Sequence, residues 1–171
     1  MKVGTKSILF GVHCFFIHPF YVFKAWCRLY GFPKDIRIWV AFFAHDLGYF
    51  GKPNMDGQEG EKHPEFGAKL MKYLFGQYWY EFTLTHSRFY SKKLGKQPSK
   101  LCMADKLSII YEPYWFYILR AKASGELTEY MNNSNSINPK EWFQWLRKLQ
   151  MNYAVRHKDG QKDEVTIIRI Y

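Results

Sequence analysis

The sequence predicts an all-α, compact helical bundle, and three observations carry that reading. Apolar residues recur at helical spacing in successive segments, prolines stand where those segments begin, and glycines stand where they end. Only VTIIRIY at 165–171 is rich in β-branched residues, and it reads as a short C-terminal strand, either alone or at an edge.

Residues 19–30 lack breakers and stop at Gly31, giving a helix with Pro19 at its first position and His18 at its entrance. Residues 35–50 are apolar on every side except at Arg37, His45 and Asp46, the pattern of a central helix surrounded by protein, and Gly48 weakens its continuation. Five glycines and two prolines in 48–67 make that stretch a loop. Pro64 then opens a helix with Phe66, Leu70, Tyr73 and Leu74 on one stripe, His63 before it and Gly76 closing it. A short aromatic helical piece at 79–89 contains His86 and leads into the basic run RFYSKKLGKQPSK. Ser99 caps a longer helix to about residue 122, with Leu101, Ala104, Asp105, Ser108 and Glu112 on one face. The polar string NNSNSINP is a loop before the amphipathic segment 141–153, where Trp142, Trp145, Leu146 and Leu149 share helical spacing.

The chain fits one domain spanning 1–171, with a C-terminal helical extension over 139–171. With 47% hydrophobic and 20% aromatic residues it has ample core material, which excludes an extended disordered protein. Its 25 Lys and Arg against 15 Asp and Glu leave a net charge of +10, which favours anionic partners such as nucleotides, nucleic acid or acidic lipid heads. Cys14, Cys27 and Cys102 form no C-x-x-C pair and read as reduced thiols of a cytoplasmic protein. Lys2 and Lys6 before the apolar stretch 8–16 imitate a secretory signal, but His13 interrupts it and no small-x-small cleavage site follows. No apolar run reaches the roughly 18 residues of a membrane span, so no membrane partner is expected.

Six ligand-type residues stand out: His18, His45, Asp46, His63, His86 and Asp105. Imidazoles and carboxylates suit a divalent transition ion, and helices packed side by side bring distant residues together. The HD pair closes an otherwise apolar helix, where an unpaired carboxylate is expensive and a metal compensates it. Adjacent helical residues point about 100° apart, so both reach one ion only near a helix end, which Gly48 supplies.

The order His, His-Asp, His, His, Asp, together with AFFAHDLG, KHPEFGAKLM and MADKLS, resembles the HD superfamily of metal-dependent phosphohydrolases over roughly residues 18–122. The resemblance implies that His18, His45, Asp46 and Asp105 hold the principal ion. It implies that His63 and His86 match the extra ligands of two-metal members, with Asp46 bridging. His13 competes with His18 for the first position, and the single His86 stands where many two-metal members have a His-His pair. One or two ions of Fe, Mn, Zn, Co or Mg are therefore expected.

The implied activity is hydrolysis of a nucleotide or related small phosphate ester, with metal-activated water attacking phosphorus and Asp46 and Arg88 as catalytic residues. Arg88, Lys93 and Lys106 are the expected substrate-binding cations, with Lys92, Lys96 and Lys100 nearby, since Arg clamps phosphate bidentately and Lys offers a point charge. Asp56, Glu59 and Glu61 read either as general acid–base groups or as loop surface. Two rival classes remain: a di-iron oxygenase on the same scaffold, and a nucleic-acid-binding module with an idle site. The 17-residue step from Asp46 to His63 and the basic run after His86 favour phosphate chemistry.

Overall fold

The computed structural model describes residues 1–158, and the strand expected at 165–171 lies outside them. The described residues contain ten α-helices and no strand: α1 (Val3–Phe10), α2 (His18–Tyr30), α3 (Ile36–Ala44), α4 (Pro64–Phe75), α5 (Gln77–Leu84), α6 (Arg88–Lys93), α7 (Lys100–Ser108), α8 (Tyr114–Ser124), α9 (Glu126–Asn133) and α10 (Pro139–Lys158). The all-α expectation holds for all of them. No helix among the described residues is long and apolar enough to cross a membrane.

The surrounded central helix is α7, not the 35–50 segment. Ser99 Oγ accepts from the Cys102 N–H and caps α7, as its position suggested. From Leu101 to Ser108 every residue of α7 except Lys106 is buried, with α2, α5 and α10 packed around it. By contrast α3 stops at Ala44, and its Ile36 and Phe43 are exposed. Composition misled here because α7 carries Ser, Asp and Cys inside while α3 carries Ile and Phe outside.

Two further expectations are corrected. Most of the predicted α4 stripe is solvent side: Phe66, Tyr73 and Leu74 are exposed, and only Leu70 packs on the core, beside the buried Pro64, Gly67, Ala68 and Met71. Both sets fit a 3.6-residue period, and close packing selects the smaller one. The long helix expected to reach residue 122 breaks after Ser108 into one 3₁₀ turn at Ile109–Tyr111. Pro113 is the cause, because the residue before proline avoids the helical region, and Glu112 is extended at φ −89°, ψ 127°. Glu112 thus leaves the α7 face and instead accepts from the buried Arg120 guanidinium.

One apolar cluster joins Val22 and Trp26 of α2, Phe42 of α3, Met71 of α4 and Leu101 and Leu107 of α7. Val22, Ala25, Trp26 and Leu29 form the buried stripe of α2, which packs on α7. A second cluster joins Val12 and Ile109 to Tyr117, Leu127, Trp142 and Phe143 of α8, α9 and α10. Phe42 and Phe143 are each 1% exposed, so each side chain contributes about 1.5–3 kcal/mol by leaving water. Ala154 of α10 belongs to the first cluster and Trp142 to the second, so α10 packs along both.

Candidate metal centre

Helix ends deliver most of the polar residues of the interior. His18 opens α2, beside Pro19. After Ala44 the chain turns through His45 and Asp46 into a 3₁₀ turn at Leu47–Tyr49, so the HD pair sits at the helix end where two adjacent side chains converge. His63 immediately precedes α4, His86 lies between α5 and α6, and Asp105 projects from the middle of α7. All six are buried.

They form two ligand groups that share one residue. His18, His45, Asp46 and Asp105 make the first, Asp46, His63 and His86 the second, and the candidate ligand atoms in each lie within 4.8 Å of one another. Asp46 Oδ2 stands 3.4 Å from His18 Nε2 and 3.0 Å from His45 Nε2. Its Oδ1 stands 3.6 Å from both His63 Nε2 and His86 Nε2. One carboxylate therefore offers a different oxygen to each group.

The imidazoles are oriented by the backbone. His45 Nδ1 contacts Phe42 O at 3.0 Å, His63 Nδ1 contacts Gly60 O at 2.8 Å, and His86 Nδ1 contacts Thr83 O at 2.6 Å. A carbonyl only accepts, so each Nδ1 carries a proton, and each ring in its neutral form turns an Nε2 lone pair inward. That is the tautomer of a metal-bound histidine held by a second partner. His63 Nε2 and His86 Nε2 then face each other across 3.1 Å. His45 Nε2 and Asp46 Oδ2 are likewise buried without a hydrogen-bond partner among the described residues, although 3.0 Å apart. Opposed lone pairs in a dry interior are costly unless a cation lies between them. The donor set therefore fits a divalent ion in each group.

The charges point the same way. Burial alone would raise the Asp46 and Asp105 pKa values, but His45 beside Asp46 and Lys106 beside Asp105 outweigh it and hold both carboxyls well below the usual range. Burial disfavours charge on His45, yet the negative field of Asp46 and Asp105 pushes its pKa up to about 10, so without a metal this ring carries positive charge that a bound ion would supply in its place. At His63 burial, and then the neighbouring His86, drive the pKa well below its ordinary value.

Close backbone approach makes this geometry possible. A Cβ on Gly48 would fall 1.9 Å from His63 O, and one on Gly67 would fall 2.1 Å from Ala44 O. These two glycines let the HD turn and the start of α4 lie against each other. Tyr49 then stacks on His63 with ring centroids 3.9 Å apart and holds its plane.

A cavity of about 240 Å³ adjoins the cluster, with His18, Asp105, Arg88 and Lys106 in its wall. Lys106 Nζ is 2.8 Å from Asp105 Oδ2, leaving Oδ1 toward His18 at 3.0 Å. Lys93 lies elsewhere, exposed on α6 with its Nζ over the Phe89 and Tyr90 rings. Lys92 is also exposed, Lys96 pairs with Glu81, and Lys100 lies over Tyr30. Asp56 and Glu61 line the cavity, whereas Glu59 pairs with Lys52 and Lys62.

His13 also lines the cavity but belongs to neither ligand group. Its Nδ1 is 3.0 Å from Glu126 Oε1 and 3.0 Å from Ser7 Oγ. Sequence reading missed Glu126, whose partners Ser7, Val12 and His13 lie more than a hundred positions away and leave no periodic signal. It missed Tyr49 and Gln150 as well. An aromatic after the HD pair was a local hint for Tyr49, and nothing comparable marks Gln150.

Compared with models of known protein families, with curated proteins and with solved structures, the chain has no match in any of the three.

Proposed function

We propose that the chain is a metal-dependent phosphohydrolase of the HD type, acting on a nucleotide or a related small phosphate ester. The observation that carries this reading is the pair of ligand groups sharing Asp46, with inward lone pairs opposed, beside a cavity edged by Arg88 and Lys106. His18, His45, Asp46 and Asp105 would hold one ion, and Asp46, His63 and His86 a second. A divalent ion bound there supplies Lewis acidity and a water acidic enough to act as nucleophile near neutral pH.

The remaining roles belong to the chain itself. Arg88 presents a planar fork of donors to phosphate oxygens and compensates charge that develops on them. Its guanidinium lies over the Tyr153 ring at 5.2 Å, which restrains it at the cavity wall. Lys106 is bound to Asp105, so it orients that carboxylate while adding positive potential to the wall. The carbonyls of Phe42, Gly60 and Thr83 keep three imidazoles from rotating.

A second reading, a di-iron oxygenase, draws on one observation: His63, His86 and Asp46 make a two-His, one-carboxylate set of the kind that suits non-haem iron. Arg88 and Lys106 in the cavity wall favour the phosphate reading. A nucleic-acid-binding role rests on net charge alone. Metal analysis of the purified protein, joined to phosphate release from nucleotides and simple phosphomonoesters and to oxygen uptake with iron loaded, separates them. Phosphate release that requires metal is the expected result, and oxygen uptake without phosphate release would replace it with the second reading.

A further inference from the structure

The cavity beside the ligand cluster continues into a wall of different chemistry. Its lining includes Tyr117 of α8, Tyr130 of α9, and Trp142, Trp145 and Gln150 of α10. All but Tyr117 lie outside the segment 18–122 that resembles the HD superfamily. Gln150 is 9% exposed, and its Oε1 is buried without a hydrogen-bond partner among the described residues. Buried amide oxygens are nearly always paired, so an unpaired one on a residue of the cavity wall marks a place for a donor that arrives from outside.

We infer that this wall is a subsite for a flat, hydrogen-bonding ring on the substrate, with Gln150 as its specificity-determining residue. A carboxamide presents an acceptor and a donor side by side, which matches a ring edge carrying an adjacent donor and acceptor, as nucleobases do. Aromatic side chains supply the faces such a ring stacks on. Tyr130 and Trp142 already lie nearly parallel, at 13°, whereas Trp145 is 41% exposed and makes no ring–ring contact among the described residues. Trp145 is therefore the side chain with a face to offer. A purely apolar ligand would leave Gln150 Oε1 unmet, and a phosphorylated sugar lacks the flat face.

The inference relies on the proposed phosphate chemistry only for where the rest of the substrate lies, so the two are tested apart. Adenosine, AMP, ribose 5-phosphate and inorganic phosphate are titrated calorimetrically into the full chain, with manganese and after chelation. Adenosine should bind without metal, and AMP should bind about tenfold or more tighter than ribose 5-phosphate, the scale of one hydrogen bond with stacking. Gln150→Leu should lower adenosine and AMP affinity about tenfold, leave ribose 5-phosphate and phosphate unchanged, and melt no lower than wild type because an unpaired buried amide is gone. Trp145→Ala, at a partly exposed position, should weaken the same two ligands. Equal binding of AMP and ribose 5-phosphate, or Gln150→Leu weakening both alike, overturns the subsite. Adenosine binding without any phosphate binding spares the subsite and overturns the phosphohydrolase reading.

Discussion

Two buried polar clusters meet at His13, which pairs with Glu126 and lies beside the His18 ring, and they are finished to different degrees. Around Glu126 the carboxylate accepts from Ser7 Oγ, Val12 N–H, Ser124 Oγ and Tyr130 Oη and pairs with His13. Nearby, buried Arg120 donates to Glu112 and to Gly11 O. Around Asp46, by contrast, His45 Nε2 and Asp46 Oδ2 have no partner and His63 and His86 turn acceptors toward each other. The first cluster is complete with protein groups alone, so it holds α1, α8 and α9 together. The second leaves polar atoms unmet by protein among the described residues, and a cation could satisfy them, so it suits binding better than packing.

The largest difference should appear when each central carboxylate is removed. Asp46→Ala is expected to abolish binding of every ion, measured by metal content after dialysis, because Asp46 belongs to both ligand groups. The variant should keep its helical content by circular dichroism, because Asp46 stands in the turn after α3 and not inside a helix. Retained metal in that variant would remove Asp46 from the centre.

Glu126→Gln should behave in the opposite way, keeping its metal but losing about 3–5 kcal/mol of folding stability, as expected when one partner of a buried pair is taken away. The loss depends on pH in a defined sense. Burial would raise the Glu126 pKa, but the hydrogen bond and charge of His13 outweigh it and hold it below the ordinary 4.5. Its contribution is thus present above 4.5 and lost as pH falls through the lower folded value. Burial would lower the His13 pKa, but the charge of Asp46 and the Glu126 contact raise it above 6.5. That contribution is complete below 6.5 and lost as pH rises through the higher folded value. Urea unfolding of metal-free wild type and Glu126→Gln should differ most between pH 4.5 and 6.5 and converge on both sides. A difference independent of pH would mean that the pair is not ionic.

Smaller effects are expected at the cavity wall. Arg88→Ala should keep its metal and lower phosphatase kcat/KM by about 1.5–3 kcal/mol, about tenfold to a hundredfold, with Arg88→Lys recovering part. Lys93→Ala, at an exposed site on α6, should leave kcat/KM unchanged. Equal losses at both positions would return phosphate recognition to the whole basic run.

What was legible in the sequence was local. Pro19, Pro64 and Ser99 mark helix starts, and the HD pair before Gly48 marks a helix end, because each acts through its own backbone. His18, His45, Asp46, His63, His86 and Asp105 were visible as a set from residue type and order. What depended on packing was not. The buried side of α4 was chosen by Gly67 meeting Ala44 O, which no periodicity reports. Pro113 was an available signal that the face from Leu101 to Glu112 overlooked. Lys93 and Arg88 belong to one charged run, and only the fold sets Arg88 in the cavity wall and Lys93 outside it.

The most direct test is to titrate the metal-free protein with manganese, zinc and ferrous iron while counting ions per chain and following thermal unfolding. Two ions per wild-type chain are expected, one per chain in His63→Ala, and a melting temperature that rises with metal, because binding to the folded state alone stabilises it. A protein that takes up none of the three ions and melts at the same temperature with and without them would contradict the assignment of His18, His45, Asp46, His63, His86 and Asp105 to a metal centre.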